Sequence, residues 1–284
     1  MPAASRIFAP GLLDGQVVLL SGGGTGLGRQ ATLELVALGA HVAICGRHAE
    51  PLEETVALAG ARCSAHVCDI REEDQVDALV DEVLARYGRI DTLVNNAGGQ
   101  FLSPAEEISP KGFRTVTNLN VNGTWLMTHA VATKAFIPAG EDGRARGGKV
   151  ISTTLSPHNG LPGMVHSSAA RAAVENMMRE LSVEWARFGI RLNAIAAGQF
   201  GTDVFMTKYP KEMVAAAAGQ VPIQRLGRPE EYAWLVAYLA SPAGDFFSGS
   251  VLTLDGARDN HAGPWPPAVH VDAAGEPLRE ARKG

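Results

Sequence analysis

The sequence predicts an α/β fold, in which a single doubly wound parallel sheet of about seven strands carries helices on both of its faces. Short apolar runs alternate along the chain with longer segments whose apolar residues recur at helical spacing. A glycine-rich turn lies between the first apolar run and the first helical segment. The chain has 284 residues, of which 46% are hydrophobic and 19% charged, and this suits one large domain with a full core.

Strands are predicted at the apolar runs, which are short and bounded by glycine or polar residues. They cover residues 17–20, 41–45, 61–67, 92–94, 149–153, 190–195 and 250–254. Because helical segments separate these strands, right-handed crossovers should make the sheet parallel. A ligand is then expected beyond the carboxyl ends of the strands, at the point where the strand order reverses.

Helices are predicted where apolar residues share one face at helical spacing. The first two have apolar faces formed by Ala31, Leu35 and Leu38 and by Leu52, Val56 and Ala59, and the others cover residues 72–87, 110–137, 165–188 and 229–240. Glycine follows the ends of several of these helices, and Pro229 stands at the first turn of the last one.

Three segments show no regular pattern. Residues 141–148 form a charged, glycine-rich loop, and residues 198–227 predict a mobile loop with short helices. The tail from about residue 259 is irregular and rich in Pro, Gly and Ala. Because no repeat or linker interrupts the chain, residues 1–284 are predicted to form one domain.

The glycine-rich turn, residues 21–28 (SGGGTGLG), is the element around which the chain is organised. Gly26 leaves room for a pyrophosphate against the backbone, and Gly28 lets the helix pack closely on the strand. The helix N-terminus adds unpaired N–H groups and a positive dipole end. A glycine-rich turn without a ligand is the alternative, but the strand and the helix stand on the correct sides. The pattern therefore favours a Rossmann-type dinucleotide-binding fold.

Composition excludes several other classes. The net charge of −5 argues against a broad nucleic-acid-binding surface. Cys45, Cys63 and Cys68 fall in or near predicted strands without metal-ligand spacing, so we expect buried reduced thiols and no metal. No apolar stretch is long enough for a signal peptide or a membrane span, and the last three residues form no targeting signal that we identify. A cytoplasmic protein that does not bind membranes is expected.

Four motifs together resemble the short-chain dehydrogenase/reductase family. Residues 21–28 resemble its TGxxxGxG signature, with Ser for Thr, and residues 95–98 (NNAG) match its asparagine turn. Residues 120–123 (NVNG) resemble the segment of its helix asparagine, and residues 191–198 (RLNAIAAG) resemble the run after its catalytic helix. Ala197 stands where the family usually has Pro. The resemblance covers residues 13–256.

A narrower resemblance points to the enoyl-CoA reductases of this family. Residues 9–13 (APGLL), 99–106 (GQFLSPAE) and 166–172 (HSSAARA) look like the trans-2-enoyl-CoA reductases of peroxisomes and, more distantly, the 2,4-dienoyl-CoA reductases. Those enzymes use NADPH to reduce carbon–carbon double bonds of acyl-CoA thioesters. The resemblance thus implies a reductase of the 2,3 double bond of an enoyl-CoA, acting in fatty acid metabolism.

The resemblance also implies a set of site residues. The implied cofactor-binding residues are Ser21, Gly22, Thr25, Gly26, Leu27, Gly28, Arg29, Arg47, Asp69, Ile70, Asn96, Ala97, Gly98, Arg171 and Gly198. The implied catalytic residues are Asn120, Ser167 and Arg171, with Asn120 preferred over Asn122 by its position. One of these two asparagines could instead satisfy only backbone groups.

The chain departs from the family at the catalytic positions. Most members carry YxxxK, but here the two positions are Ser167 and Arg171, and no tyrosine lies between Tyr87 and Tyr209. The usual catalytic serine falls near Leu155 or Ser156, and the tyrosine that 2,4-dienoyl enzymes place at Ser156 is absent too.

The two replacements retain part of the chemistry. Arg171 stays cationic at any working pH and favours an anionic intermediate, but it cannot relay a proton. Ser167 can orient a thioester carbonyl, although a hydroxyl is a far weaker acid than a phenol of pKa about 10. The alternatives are a surface arginine and a helix N-cap serine. His158, Asn159 and His166 are further candidate proton donors, with plain polar surface as the alternative.

Reaction chemistry favours one substrate class. Ketone reduction creates an alkoxide, which needs a good acid nearby, whereas hydride addition to an enoyl thioester leaves a delocalised enolate that hydrogen-bond donors can hold. A site without a tyrosine suits the second reaction better. Two alternatives stay open: a carbonyl or alcohol oxidoreductase with an atypical acid, and a nucleotide-binding family member without catalysis.

NADPH is the expected form of the cofactor. The second strand of an NAD enzyme usually ends in an acidic residue, but here that position is Gly46, which repels no 2′-phosphate. Arg47 follows and can grip a phosphate bidentately, and Arg29 is a second candidate charge.

The remaining expectations concern the substrate cover and assembly. Residues 198–227 include apolar side chains able to cover an acyl chain, namely Phe200, Val204, Phe205, Met206 and Met213. Lys208 and Lys211 are candidates for holding the phosphates of CoA. A homo-oligomer, with a tetramer as the expected form, is predicted because the helices from residues 110 and 165 carry more apolar residues than one buried face needs. Examples of these residues are Met177, Met178, Leu181 and Trp185.

Overall fold

A parallel sheet forms the centre of the molecule. The computed structural model describes residues 4–140, 142–156, 158, 160–208 and 211–261. The strands are β1 (Val17–Ser21), β2 (His41–Gly46), β3 (Cys63–Val67), β4 (Thr92–Asn95), β5 (Gly148–Leu155), β6 (Ile190–Ala197) and β7 (Val251–Leu254). Their order in the described part of the chain is β3-β2-β1-β4-β5-β6-β7, with every pair parallel. The predicted fold class is confirmed.

Helices connect the strands and cover both faces. They are α1 (Gly26–Ala37), α2 (Ala49–Ala59), α3 (Glu73–Tyr87), α4 (Pro110–Thr117), α5 (Gly123–Val131), α6 (Val165–Glu184), α7 (Asp203–Lys208), α8 (Lys211–Gly219) and α9 (Pro229–Ala240). The wider turn Asn118–Asn122 joins α4 to α5, and a second one, Ala132–Phe136, follows α5. Of the described helices, none combines the length and apolarity needed to cross a membrane.

The strands are buried on both sides, which explains their unbroken apolar runs. In β1, Val17 and Leu19 enter the core that α3, α5 and α6 close, whereas Val18 and Leu20 enter the core that α1, α2 and α9 close. All four side chains are at most 3% exposed. The sheet is therefore a rigid platform for the turns that leave it.

The strand order reverses between β1 and β4. Ser21 at the end of β1 pairs with Asn95 at the end of β4, so the turns that follow these two strands diverge from one point. Such a switch point forms a crevice at the carboxyl edge of a parallel sheet. The glycine-rich turn and the asparagine turn both start there.

Most predicted elements are confirmed within a few residues. The long helical region from residue 110 is one helix with two wider turns, and the helix from residue 165 continues as a short 3-10 turn to Phe188. Residues 198–227 hold α7 and α8, as the predicted short helices. Cys45, Cys63 and Cys68 are buried free thiols, also as predicted. From residue 262 onward, the predicted tail lies outside the residues that the structure describes.

The apolar residues used to predict an oligomer face inward instead. Met178 is fully buried, Leu181 and Trp185 are less than a tenth exposed, and all three belong to the core under α6. Met177 packs against the same core. These four residues therefore serve the packing of this chain, and the case for an oligomer has to rest on other side chains.

Candidate active site

A cavity of about 700 Å³ opens at the carboxyl edge of the sheet. It extends from the glycine-rich turn past the ends of β4 and β5 to α7 and α8. The predicted cofactor residues that line it are Gly22, Thr25, Gly26, Leu27, Arg47, Asp69, Ile70, Asn96, Ala97, Gly98, Arg171 and Gly198. The structure thus brings most of the predicted site into one continuous space.

The glycine-rich turn is built for close approach. Gly26 opens α1 with a φ of +52°, and a Cβ atom there would meet only Thr202, at 3.6 Å. At Gly28 a Cβ atom would lie 2.1 Å from the Gly22 carbonyl oxygen, so any side chain would push α1 away from the turn. The N-terminus of α1 therefore faces open space beside the side-chain-free backbone of the glycine-rich turn. This arrangement fits a dinucleotide pyrophosphate.

Ser21 and Asn96 tie the two turns together. The Ser21 hydroxyl oxygen accepts from the backbone N–H groups of Asn96 and Ala97, at 3.2 and 3.1 Å. The Asn96 amide donates back to the Ser21 and Gly22 carbonyl oxygens, at 3.2 and 3.1 Å. Ser21 is fully buried and outside the cavity lining, so its part is to fix the shape of the crevice.

Arg29 does not offer a free charge to the cavity. Its Nε donates to the Gly24 carbonyl oxygen at 2.9 Å and to the Thr55 hydroxyl at 3.0 Å, and its Nη2 lies 2.6 Å from Glu54 Oε2. These contacts brace the glycine-rich turn against α2. The sequence expectation of a second phosphate charge is thus replaced by a bracing role, because Glu54 neutralises the guanidinium.

Arg47 stands as an exposed cation at the other end of the same wall. Asp69, beside it, is held by the Nε of Arg71, at 2.9 and 3.1 Å from its two oxygens. Hydrogen bonds from Arg71 hold the pKa of Asp69 below its usual value, and the charge of Arg47 adds to this. Asp69 is therefore already paired and presents little repulsion to an anionic ligand.

Asn120 is fully buried and its amide is committed to backbone groups. Its Nδ2 donates to the carbonyl oxygens of Gly99 and Val116, both at 2.8 Å, and its Oδ1 accepts from the Gly99 N–H at 3.3 Å. Asn122 is exposed and bonds only to Asn118, at 2.9 Å. Asn120 therefore shapes the turn after β4 from behind, and it does not line the cavity.

Ser167 works through Gln100. The fully buried Ser167 hydroxyl donates to Gln100 Oε1 at 2.8 Å, and Gln100 lines the cavity while Ser167 does not. The helix begins after Met164, so Ser167 is not an N-cap. With its oxygen occupied, the Gln100 amide has its Nε2–H donors left for a ligand.

Arg171 is the cation at the centre of the site. Its Nη1 donates to the Thr153 carbonyl oxygen at 2.7 Å, and within the described residues it forms no ion pair. Burial lowers the pKa of Arg171 to about 10, with the nearby Tyr232 opposing the shift, so the side chain is charged at neutral pH. It lines the cavity and is not a surface arginine.

The described lining lacks the acid–base pair of the YxxxK motif, and its histidine is His48. No tyrosine or lysine is among those residues. Tyr232 is buried behind β5, where its hydroxyl pairs with the Thr153 hydroxyl at 2.6 Å, and burial raises its pKa to about 12. Ser156 does line the cavity, but its hydroxyl donates to Asp255.

The candidate histidines have different positions. His166 is fully buried, edge-on to Phe101 at 4.3 Å, and neither of its nitrogens has a partner in the described structure. His158 lies between Glu175 and Asp259, at 2.9 and 2.6 Å. Neither histidine is plain polar surface, and neither lines the cavity. Asn159 lies outside the described residues.

The far wall of the cavity is apolar. Phe200, Val204 and Phe205 line it, and the segment that carries them is closed at its base where Gly201 N–H donates to Gly227 O and Gly227 N–H to Gln199 O, both at 2.9 Å. Met206 is half exposed and outside the lining. The side chain of Met213 lies outside the described structure.

Arg258 is the cation at the mouth that sequence reasoning missed. It lines the cavity, whereas Lys211 does not, and the side chain of Lys208 is not described. Of the described charged residues in the lining, three are arginines and one is the already paired Asp69. The cavity is therefore suited to an anionic ligand. Groups of His, Cys, Asp and Glu able to hold a metal are absent among the described residues.

Sequence reasoning also did not assign Gln100, Thr154 and Arg258, which line the cavity, or Glu175, whose carboxylate accepts from the Thr154 hydroxyl at 2.8 Å. Gln100 belongs to residues 99–106, which resemble the enoyl-CoA reductases, but the resemblance gave Gln100 no catalytic or binding role. Glu175 lies four residues after Arg171 on α6, a spacing that places both on one helix face, and this was the available signal. Arg258 gave no signal, because its segment has no periodicity.

Comparison with known proteins agrees with this geometry. Residues 22–257 match a family model described as enoyl-(acyl carrier protein) reductase, a short-chain dehydrogenase type. A peroxisomal 2,4-dienoyl-CoA reductase of Danio rerio is 35% identical over 260 residues, covering 89% of this chain and 84% of that protein. A probable 2,4-dienoyl-CoA reductase of Bacillus subtilis is 32% identical and covers 87% and 97%.

Solved structures give the same picture. A citronellol catabolism dehydrogenase of Pseudomonas aeruginosa has a TM-score of 0.78 at 41% identity, covering 89% of this chain and 98% of that one. Levodione reductase has a TM-score of 0.80 at 30% identity, covering 87% and 99%. The shared fold extends over nearly all of the described residues.

Proposed function

Because this chain belongs to the short-chain dehydrogenase/reductase family, we propose that it is an NADPH-dependent reductase of the 2,3 double bond of an enoyl-CoA thioester. That the chain is an oxidoreductase of this family follows from the match to the family model. The observation that carries the finer proposal is the pair Gln100 and Arg171. The two side chains offer an amide donor and a cation in a cavity whose described lining has no tyrosine.

These groups suit an enolate. The nicotinamide cofactor, when bound, supplies a hydride to the β carbon of the substrate. Gln100, fixed by Ser167, would donate to the thioester oxygen as negative charge develops there. Arg171, anchored on Thr153, would add a fixed positive charge. A ketone would leave an alkoxide instead, which needs an acid nearby, and the described lining has no tyrosine for that role.

NADPH is proposed because Gly46 and Arg47 line the wall where a ribose 2′ substituent would lie. Arg47 is a bidentate donor, and the neighbouring carboxylate of Asp69 is already paired with Arg71. Gly22, Gly26 and Asn96 would hold the pyrophosphate side.

The acyl-CoA proposal rests on the two ends of the cavity. Phe200, Val204 and Phe205 offer an apolar cover for an acyl chain, and Arg258 offers a cation for the phosphates of CoA. The 2,4-dienoyl-CoA reductases similar to this chain act on substrates of that class by name. A role in fatty acid metabolism is the corresponding proposal.

A second candidate is oxidation of an alcohol. It is favoured by the 41% identity to the citronellol catabolism dehydrogenase, which is higher than that to the dienoyl-CoA reductases cited above. In this case the apolar wall would hold a branched isoprenoid chain. The same cavity serves either substrate, but the missing tyrosine weighs against the alcohol.

Assembly and location are separate proposals. We propose a homo-tetramer whose interfaces include the exposed apolar residues Trp125 on α5 and Val183 on α6, which are 40% and 78% exposed. A cytoplasmic location is proposed from the three free thiols.

The deciding experiment follows NADPH absorbance with 2-enoyl-CoA thioesters of several chain lengths, with ketones, and with citronellol and NADP+ in the reverse direction. The proposed function expects turnover of at least one thioester at a kcat/KM above that of any ketone or alcohol. Rapid reaction of ketones or citronellol, without turnover of any thioester, would replace it with the second candidate.

A further inference from the structure

Four polar side chains form a hydrogen-bonded row behind the cavity wall. The Thr154 hydroxyl donates to Glu175 Oε1 at 2.8 Å, and the same oxygen lies 2.9 Å from His158 Nε2. The other ring nitrogen of His158, Nδ1, lies 2.6 Å from Asp259 Oδ2. Every neighbour in the row is thus at hydrogen-bond distance.

The two ends of this row differ in their access to water. Thr154 lines the cavity and is 3% exposed, and Glu175 is 4% exposed. The side chain of His158 is 35% exposed. The row therefore connects the substrate space with the protein surface through two buried groups.

We propose that Thr154, Glu175, His158 and Asp259 form a proton relay. After hydride addition, this relay delivers a proton to the α carbon of the substrate. This inference rests on the proposed enoyl thioester reduction, which requires one proton at that carbon. Two other polar side chains of the site, Arg171 and Ser167, are poorly suited to moving a proton. Arg171 is a poor proton donor at neutral pH, and the Ser167 hydroxyl is bonded to the Gln100 amide, which does not titrate.

The step balances as a chain of transfers. The Thr154 O–H bond breaks as a C–H bond forms at the α carbon, and the enolate electrons become that bond. Thr154 takes a proton from Glu175, which takes one from His158 Nε2. The Nδ1–H of the His158 imidazolium stays bonded to Asp259, and the partly exposed ring recovers its Nε2 proton from water. The electrons come from the nicotinamide, so the relay carries protons only.

The charges around His158 fit this role. It is faced by Glu175 from α6 and by Asp259 from the segment after β7, while Arg179 reaches Glu175 at 4.0 Å and Asp255 accepts from the Asp259 N–H at 2.7 Å. Burial lowers the pKa of His158, but the hydrogen bonds to Asp259 and Glu175 outweigh it, so the pKa is raised above its ordinary value. His158 therefore stays protonated, and able to donate a proton, up to a higher pH than an ordinary histidine.

A purely structural role is the competing explanation, since the same contacts tie the segment after β7 to α6. Matched variants separate the two. Thr154→Ser keeps the hydroxyl and Thr154→Val removes it at nearly constant shape. Glu175→Gln keeps a hydrogen-bonding side chain of the same size but cannot pass a proton, and Arg179→Gln removes the distant cation outside the row.

The test measures kcat, KM, NADPH affinity and the solvent deuterium isotope effect on kcat, with an enoyl-CoA that the parent reduces. Thr154→Val and Glu175→Gln should lower kcat by about tenfold to hundredfold, the scale of losing a proton donor. Their isotope effects should rise above that of the parent, while KM and NADPH affinity stay within about twofold. Thr154→Ser, which keeps the hydroxyl, should lose clearly less than Thr154→Val, and Arg179→Gln should resemble the parent.

His158→Gln keeps the test valid if Glu175→Gln does not fold, because His158 is partly exposed. It should remove the loss of kcat at alkaline pH that the parent shows as His158 deprotonates. The relay is overturned if Thr154→Val or His158→Gln leaves kcat, the isotope effect and the pH profile unchanged, or if Thr154→Ser loses as much as Thr154→Val. Failure of the parent to reduce any enoyl-CoA overturns the proposed function itself, and the relay with it.

Discussion

Arg171 lies directly against the backbone of Gly98. A Cβ atom at position 98 would stand 2.1 Å from Nη2 of Arg171 and 2.7 Å from Oδ1 of Asn120. The last residue of the asparagine turn therefore has to be glycine for the guanidinium to reach its place in the cavity wall. This contact links the turn after β4 to the middle of α6.

Gly98→Ala should displace Arg171 and lower kcat with an enoyl-CoA by about tenfold or more, because a fixed positive charge near the developing oxyanion is lost. NADPH binding should weaken as well, since Gly98 and Arg171 both line the cavity. Gly140→Ala is the control, because a Cβ atom there meets its neighbours at 3.5 Å or more. Steady-state kinetics with parent-like values for Gly98→Ala would contradict this account.

The sequence was sufficient for the sheet, both glycine and asparagine turns, and the place of Arg171. Each depends on local patterns, such as apolar periodicity or a glycine at a close approach. The substrate side depends on contacts between distant segments, such as Ser167 with Gln100 and His158 with Asp259, which are 67 and 101 residues apart. Such pairings leave no local pattern.

Asn120 and Arg29 show the same limit in another way. Their positions in the motifs were correct, but their side chains bond to backbone and to Glu54 instead of facing the cavity. A motif places a residue near a site, while its hydrogen-bond partners decide whether it touches the ligand.

Ser167→Ala should lower kcat/KM for an enoyl-CoA by about tenfold to hundredfold, the equivalent of about 1.5–3 kcal/mol for one orienting hydrogen bond. Gln100→Ala should cost at least as much, because it removes the donor itself. Since Ser167 acts through Gln100, adding Ser167→Ala to the Gln100→Ala variant should cost little more. A double-mutant cycle on kcat/KM measures this coupling, and additive losses would mean that Ser167 contacts the substrate independently.

Arg47→Ala should weaken NADPH binding by about 1–3 kcal/mol, because a charged hydrogen bond to the 2′-phosphate is lost. NADH binding should change little, since it has no 2′-phosphate. Titration calorimetry with both cofactors measures the difference, with Arg62→Ala as an exposed control outside the cavity lining. Equal kcat/KM for NADPH and NADH in the parent protein would contradict NADPH preference altogether.

Replacing Trp125 and Val183 by Glu should dissociate the proposed tetramer into smaller species, because buried carboxylates in an apolar interface are costly. Light scattering at micromolar concentration gives the mass. Val67→Glu is the control, since Val67 is 64% exposed on the edge strand β3 and lies on neither α5 nor α6. A monomeric parent would remove the proposal.

Glu231 should make the stability of the protein depend on pH. It accepts from Arg225 at 2.8 and 2.7 Å and from the Arg228 N–H at 2.8 Å, just after the base of the segment that covers the cavity. The pKa of the Glu231 carboxyl is lowered from an ordinary 4.5 to about 2, mainly by the hydrogen bonds from Arg225. A lowered pKa means that the stabilisation is complete above the unfolded value and is lost as pH falls from about 4.5 through about 2.

Glu231→Gln should therefore lower the free energy of unfolding at pH 7 by about 1–2 kcal/mol, allowing for solvent screening of a side chain that is 21% exposed. Urea unfolding at several pH values measures the difference, which should narrow between pH 4.5 and the folded pKa of about 2. Glu230→Gln is the matched control, because Glu230 shares the first turn of α9 but stands outside the Arg225–Arg228 network. A difference that stays constant down to the lowest pH would show that Glu231 stabilises the helix through packing and not through its charge.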